Sequence, residues 1–277
     1  MSKKTKLVKV VDQETGEVLA EDVLYKSQSK ISENQRKGLI LQEERKNDRR
    51  HFTFADMENI QEVISNLSNV HLGYLLHLQC FMDFEEGKLI GKEGKEITKK
   101  VEIQKTLNLS KDTNKRFCNV LEDNGILEIV DGKYRINPAY HFKGQIYEQK
   151  VIKLFTTTLK RLSKTIKANE LGFLYKLLPY VHYDTNMICI NPHEINPKKI
   201  QYLNIQAISE ITGIHEKKIS TLIRVLRKDG IIAETTLQDK RHTFITLNPY
   251  IFYRKSGQPD NTLKSMFAST PYSSKNR

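Results

Sequence analysis

Apolar residues recur at helical spacing in two separated stretches of the chain, and each stretch opens the same succession of elements. Phe54, Met57, Ile60, Ile64 and Leu67 fall on one face of a helix predicted over 54–67, and Ile152, Phe155, Leu159, Leu162 and Ile166 do the same over 151–166. A second apolar helix follows each, built on phrases that align residue for residue: His71-Leu72-Gly73-Tyr74-Leu75-Leu76 and Glu170-Leu171-Gly172-Phe173-Leu174-Tyr175. Short extended segments at 88–97 and 187–191 come next, then short helices at 100–107 and 204–211. At the tight junction that follows, Ser110 is a good N-cap after apolar Leu109 in the first copy. In the second copy the chain turns at Thr212-Gly213-Ile214-His215, where Gly213 is free to take a positive φ.

A longer helix then ends in each copy at a glycine suited to a C-cap, Gly125 and Gly230. Beyond Gly125, Ile126-Leu127-Glu128-Ile129-Val130 and Lys133-Tyr134-Arg135-Ile136 flank Asp131-Gly132, a strong hairpin signal. The second copy runs from Ile231 to Thr236, turns at Gln238-Asp239-Lys240 and returns through His242 to Leu247. Both hairpins finish on Asn-Pro and aromatics, Asn137-Pro138 with Tyr140 and Phe142, and Asn248-Pro249 with Tyr250, Phe252 and Tyr253. Helix, turn, helix and hairpin in that order predict a winged helix.

The expected fold is therefore α+β and mainly helical, with two tandem winged-helix domains over 51–145 and 146–256. Residues 1–50 read as an amino-terminal β-hairpin arm, Lys6–Val11 against Glu17–Leu19, followed by a charged linker. Residues 257–277, rich in Ser, Thr, Lys and Asn, read as a disordered tail. The apolar helices expected from Phe54 and from Val151 exceed what one small core covers, which leaves a homodimer open.

Composition then narrows the partner. A formal charge of +12 over 277 residues favours an anionic one, because lysines and arginines that neutralise phosphates release condensed counterions. No apolar run approaches bilayer-spanning length and no signal-peptide core follows the basic start, so no membrane partner and a cytoplasmic location are expected. Cys80, Cys118 and Cys189 are scattered singly and read as small buried residues, so no metal or other cofactor is expected. His182, Asp184, His193 and Glu194 lie close in sequence, yet read better as a polar loop than as a metal site.

The helix before the hairpin usually enters the major groove, so its outward residues are the candidate readers. Over 111–124 the core positions are Phe117, Cys118 and Leu121, leaving Lys111, Thr113, Lys115, Arg116 and Asn119 outward together with Asp112, Glu122 and Asp123. In the second copy Ile219, Leu222, Ile223 and Leu226 turn inward, and Lys217, Lys218, Ser220, Thr221, Arg224, Arg227 and Lys228 turn outward. Carboxylates repel phosphates, so the second copy is the expected principal reader. Lys240, Arg241 and His242 on the second wing are candidate phosphate or minor-groove contacts, and Lys133 and Arg135 on the first are weaker ones.

Val11-Asp12-Gln13-Glu14-Thr15-Gly16-Glu17-Val18, and Gly132-Lys133-Tyr134-Arg135-Ile136-Asn137-Pro138 through Phe142-Lys143-Gly144, resemble the plasmid replication proteins of the RepL type. Similar winged-helix proteins occur in phages, some like MarR-type regulators in their DNA-binding part. The resemblance covers mainly the first half. It implies a mobile-element protein that binds double-stranded DNA at an origin, with host replication or transcription machinery as further partners; an operator-binding regulator and a protein–protein adaptor are the alternatives. No P-loop, His-hydrophobic-His run or carboxylate cluster for metal-dependent cleavage is present in the sequence, and a non-enzyme is expected.

Overall fold

The computed structural model describes residues 5–11, 15–26, 50–84, 87–144, 150–236, 243–255 and 257–273. The chain divides into two compact units, Met1–Asn47 and Asp48–Arg277. In the first, β1 (Thr5–Val11) and β2 (Val18–Lys26) pair antiparallel, as the alternation there predicts. The second is an α+β fold of helices and small antiparallel sheets.

In the second unit each apolar stretch expected to be one helix is instead a strand followed by a helix. β3 (Phe52–Asp56) precedes α1 (Ile60–Asn66), and β7 (Val151–Phe155) precedes α5 (Thr156–Leu162). The break after β3 has a local cause: the Asp56 carboxylate accepts from the backbone N–H groups of Glu58 and Asn59 at 3.0 and 2.8 Å and turns the chain. The two strands pair with each other antiparallel, Phe52 opposite Phe155, Phe54 opposite Lys153 and Asp56 opposite Val151.

That register is symmetric. Phe54 and Lys153 hold corresponding places in the two copies, so exchanging the copies maps the ladder onto itself, and the backbones are related by a pseudo-two-fold axis through this pair. The outer strands obey the same exchange. β6 (His141–Phe142) places His141 opposite Ala55 and Phe142 opposite Phe54, while β10 (Phe252–Tyr253) places Phe252 opposite Leu154 and Tyr253 opposite Lys153. The result is a four-stranded sheet in the order β10-β7-β3-β6.

Over this sheet α2 (Asn69–Leu78) packs on α6 (Ala168–Leu177), the two helices that carry the shared phrase. Their glycines explain why. A Cβ on Gly73 would lie 1.9 Å from the Ala168 carbonyl oxygen, and one on Gly172 would lie 1.7 Å from that of Asn69. Glycine in a helix interior costs about 1 kcal/mol against alanine, and here that cost permits backbone-to-backbone contact. The core is continuous across both copies, with Leu72, Leu75 and Leu76 of α2 and Phe173, Leu174 and Tyr175 of α6 fully buried. The apolar faces that left a homodimer open are thus covered within one chain.

From this junction each copy runs through a short helix, a longer helix and a hairpin. In the first, α3 (Lys100–Leu107) ends on Asn108 at φ 56°, and α4 (Lys111–Asp123) begins with Ser110, whose hydroxyl accepts from the Thr113 N–H. In the second, α7 (Ile205–Thr212) ends on Gly213 at φ 66°, and α8 (Glu216–Lys228) follows. β4 (Leu127–Val130) and β5 (Lys133–Ile136) turn through Asp131 and Gly132, both at positive φ, as the Asp-Gly pair predicts. β8 (Ile232–Thr236) pairs with β9 (Thr243–Leu247), and the tip between them lies outside the described residues. The extended segments expected at 88–97 and 187–191 contribute single bridges, Lys88 to Arg135 and Met187 to Thr246, again at corresponding places.

The tail is a second correction. Polar composition predicts disorder over 257–277, yet 257–273 is packed: α9 (Asn261–Met266) buries Leu263, and Phe267 and Tyr272 are buried beyond it. The Arg161 guanidinium donates to the Pro271 carbonyl at 2.8 Å and lies over the Tyr272 ring. Three large apolar side chains in an otherwise polar segment suffice to anchor it.

Candidate nucleic-acid interface

The hairpin of each copy is locked to the end of the long helix before it by the same device. The side-chain amide of Asn137 donates to the Gly125 carbonyl at 3.0 Å, and that of Asn248 to the Gly230 carbonyl at 2.8 Å. Each Asn backbone N–H donates to the residue after that glycine, Ile126 or Ile231, at 2.9 Å. The Asn-Pro phrase, legible in sequence only as a hairpin end, therefore fixes hairpin against helix. A helix and hairpin held in one body present a constant surface to a ligand.

α8 divides cleanly. Ile219, Leu222, Ile223 and Leu226 are buried, and Lys217, Lys218, Ser220, Thr221, Arg224, Arg227 and Lys228 are all exposed, as the periodicity predicts. The Ser220 and Thr221 hydroxyls donate to the carbonyls of Glu216 and Lys217 at 3.0 Å, which leaves their lone pairs outward. Arg227 is tied to Glu234 on the adjacent β8 by a short ion pair. Among the described residues, Lys217, Lys218, Arg224 and Lys228 meet no carboxylate. An unpaired cation is where a phosphate gains most, since no internal ion pair must first be broken.

α4 keeps the geometry and loses the charge. Phe117, Cys118 and Leu121 are buried as expected, joined by Asn114, whose amide donates to the Lys100 carbonyl at 2.9 Å. Lys111, Lys115, Arg116 and Asn119 are exposed, and Thr113 is half-buried against Ser110. Lys100, at the start of α3, reaches across to Glu122 at 2.6 Å and to the Asn119 amide oxygen at 2.9 Å. On the first hairpin Lys133 pairs with Glu96 at 2.6 Å and Arg135 with Glu128 at 2.8 Å. The two hairpin cations are thus engaged internally. Lys240, Arg241 and His242, expected on the second hairpin, lie outside the described residues.

The polar loop after α6 spends its candidate ligands on structure. The His182 ring accepts from the Asp184 and Thr185 N–H groups through Nδ1, so Nε2 carries the proton and donates to the Glu194 carbonyl at 2.8 Å. Asp184 pairs with Lys255 at 2.8 Å, and His193 Nδ1 accepts from Arg254 at 3.1 Å. No cluster of three metal-ligating side chains occurs among the described residues. The three cysteines are buried, and burial pushes the Cys118 and Cys189 thiols up to about 11. Among the described residues no helix is long and apolar enough to cross a membrane.

Two features of this surface escaped the sequence. Lys100, three turns of chain before α4, neutralises part of its face; only the fold brings it there. The close approach of α2 and α6 sets both long helices on one scaffold, and its signal was present in the two helix-interior glycines of the shared phrase. Comparison of the chain with protein-family models, with curated proteins and with solved structures finds no match.

Proposed function

We propose that this chain is a non-enzymatic, sequence-specific double-stranded DNA-binding protein built on two winged helices, with α8 as the principal reader. The observation that carries the reading is the outward face of α8, where Lys217, Lys218, Arg224 and Lys228 stand exposed, without carboxylate partners among the described residues, above a fully apolar inner face. Phosphate contacts from the lysines position the helix, and Arg224 has the planar two-donor fork that suits the O6 and N7 edge of guanine. The resemblance to RepL-type proteins favours an origin as the target and replication initiation in a mobile element as the role. A promoter operator is the alternative target.

The test is selection of bound duplexes from a random pool with the intact chain at moderate salt, followed by titration of the best sequence. A defined motif should emerge. Arg224→Ala should weaken binding to that motif by about 1–3 kcal/mol and relax preference at one position, whereas Lys228→Ala should weaken all duplexes alike and lower the salt slope by about one. The double change Arg224→Ala with Arg227→Ala should abolish specific binding with the fold intact. Iterated motif copies within or beside the gene point to an origin, and a single promoter copy points to an operator. Uniform loss of binding with rising salt and no motif refutes specific recognition and favours an adaptor.

A further inference from the structure

The symmetry of the central ladder constrains what DNA the chain can read. Phe54 and Lys153 face each other at corresponding places, the outer strands follow the same exchange, and the two helix glycines contact each other's copies reciprocally. α4 and α8 therefore stand in a pseudo-two-fold relation, not a translational one. A rotation of this kind leaves the component of every direction along its axis unchanged. The outward faces of α4 and α8 thus cannot lean to opposite sides along that axis, and the components of the two helix directions perpendicular to it are opposed.

Duplex DNA has local two-fold axes of the same type, which is why two-fold protein pairs bind inverted half-sites about one helical turn apart. We infer that a single copy of this chain recognises one imperfect inverted repeat, its two blocks unequal in strength, with α8 on the strong block and α4 on the weak one. The inference rests on the DNA-binding reading above and adds the arrangement of the site. A direct repeat of the two blocks would need the copies to be related by translation along the duplex, and the β3–β7 register forbids that within this unit.

Inequality of the blocks follows from charge. α8 offers Lys217, Lys218, Arg224 and Lys228 without carboxylate partners among the described residues. On α4 the Asn119 amide oxygen and Glu122 are both taken by Lys100, and Asp112 and Asp123 stand exposed beside Lys111, Lys115 and Arg116. Fewer net positive charges and one base-reading amide already engaged make the α4 contact the weaker of the two.

The experiment uses the intact chain and the duplex selected from a random pool. Three forms are compared by titration and by sedimentation: the selected duplex, the same duplex with the weak block reversed in place, and the strong block alone in neutral flanks. One chain per selected duplex is expected, with affinity falling at least about tenfold on reversal, the scale of one or two lost base contacts. An iron chelate tethered at Lys115→Cys should cleave in the weak block and one at Ser220→Cys in the strong block; the native cysteines are buried and do not compete. Unchanged or improved affinity on reversal overturns the inverted arrangement, as does a requirement for two chains per pair of blocks. A single-block motif that protects no second block overturns the inference while leaving DNA recognition by α8 intact. Failure to select any motif overturns DNA recognition itself.

Discussion

Gly73→Ala tests the junction from which the rest of the geometry follows. In an ordinary helix this change stabilises by about 1 kcal/mol, since alanine loses less conformational freedom on folding. Here the new Cβ would stand 1.9 Å from the Ala168 carbonyl oxygen and 2.6 Å from its carbon, both backbone atoms of α6. No rotamer change relieves this, so the helices must part by about 1–1.5 Å to restore an ordinary contact. A radial gap of about 0.5–1 Å already forfeits a quarter to a half of the dispersion attraction of the atoms facing it. Leu72, Leu75, Leu76, Phe173 and Leu174 of the two helices are all buried in the core that they share. Overpacking ordinarily costs about 1–3 kcal/mol, and a backbone obstacle across a whole helix pair places this case at or above the upper end. A net loss of about 3 kcal/mol is expected.

Urea denaturation followed by far-ultraviolet circular dichroism measures it, as a fall in midpoint of about 1 M or more. Gly172→Ala should cost about as much, because its Cβ meets the Asn69 carbonyl at 1.7 Å in the corresponding contact. The double substitution should cost clearly less than the sum, since helices already parted by one Cβ admit the second cheaply. Gly91→Ala is the control: its Cβ would meet nothing nearer than the Lys95 carbonyl at 3.5 Å, an ordinary contact, and the midpoint should barely move. An unchanged or raised midpoint for Gly73→Ala, or strict additivity of the pair, would refute the reciprocal close approach.

Two further predictions concern stability. His141 of β6 is buried with Nε2 at 2.7 Å from the Tyr175 hydroxyl of α6, and burial holds its imidazole down to about 3 from an ordinary 6.5. The unfolded chain therefore binds the extra proton between those values, stability is full above about 6.5 and falls as pH falls, and moving from pH 7 to pH 5 should cost about 2 kcal/mol through this residue. His141→Gln should lower the urea midpoint at pH 7 but flatten the slope between pH 7 and 5, leaving the part due to His77, which burial and the nearby Lys160, Lys92 and Lys164 hold down to about 4, and to His71 and His193, which burial also lowers; an unaltered slope would contradict the assignment. Deleting the chain after Gly257 removes buried Leu263, Phe267 and Tyr272, each contributing about 1.5–3 kcal/mol, so the urea midpoint should fall sharply; a truncated chain as stable as the full one would show the tail to be ornamental to the core.

What the sequence disclosed and what it withheld divide along a physical line. Local chemistry was legible: Asp131-Gly132 at the first hairpin, Gly213 at the turn, Gly125 and Gly230 after the long helices, and the inward sets of α4 and α8 all fall where spacing and φ preference put them. β3 and β7 were not, because a strand covered on both sides loses the alternation that marks strands. In β7 every residue from Val151 to Phe155 is buried, even Lys153, whose ammonium donates to the Lys255 carbonyl at 2.9 Å. Such a run reads as the start of the helix that follows it. The tail misled for the opposite reason: its average is polar, and burial depends on where Phe267 and Tyr272 land. The neutralising reach of Lys100 to Glu122 likewise connects residues that no local pattern links.

On the proposed reading, the joining of two unlike copies in one chain has a consequence for recognition that a homodimer does not share. In a homodimer any substitution on the reading helix alters both half-sites at once, so a carboxylate that weakens one contact weakens its twin. Here Glu122 occupies α4 while, among the described residues, Lys217, Lys218 and Arg224 of α8 meet no carboxylate, and the symmetric register of the β3–β7 ladder is kept alongside that difference. On that reading one face supplies affinity while the other is tunable near the threshold of binding. Lys100→Ala separates these roles. It frees the Asn119 amide and leaves Glu122 uncompensated, so on the proposed reading it should weaken the selected duplex modestly and leave binding to the strong block alone unchanged. Equal weakening of both duplexes would mean that α4 acts through the fold, not through the DNA.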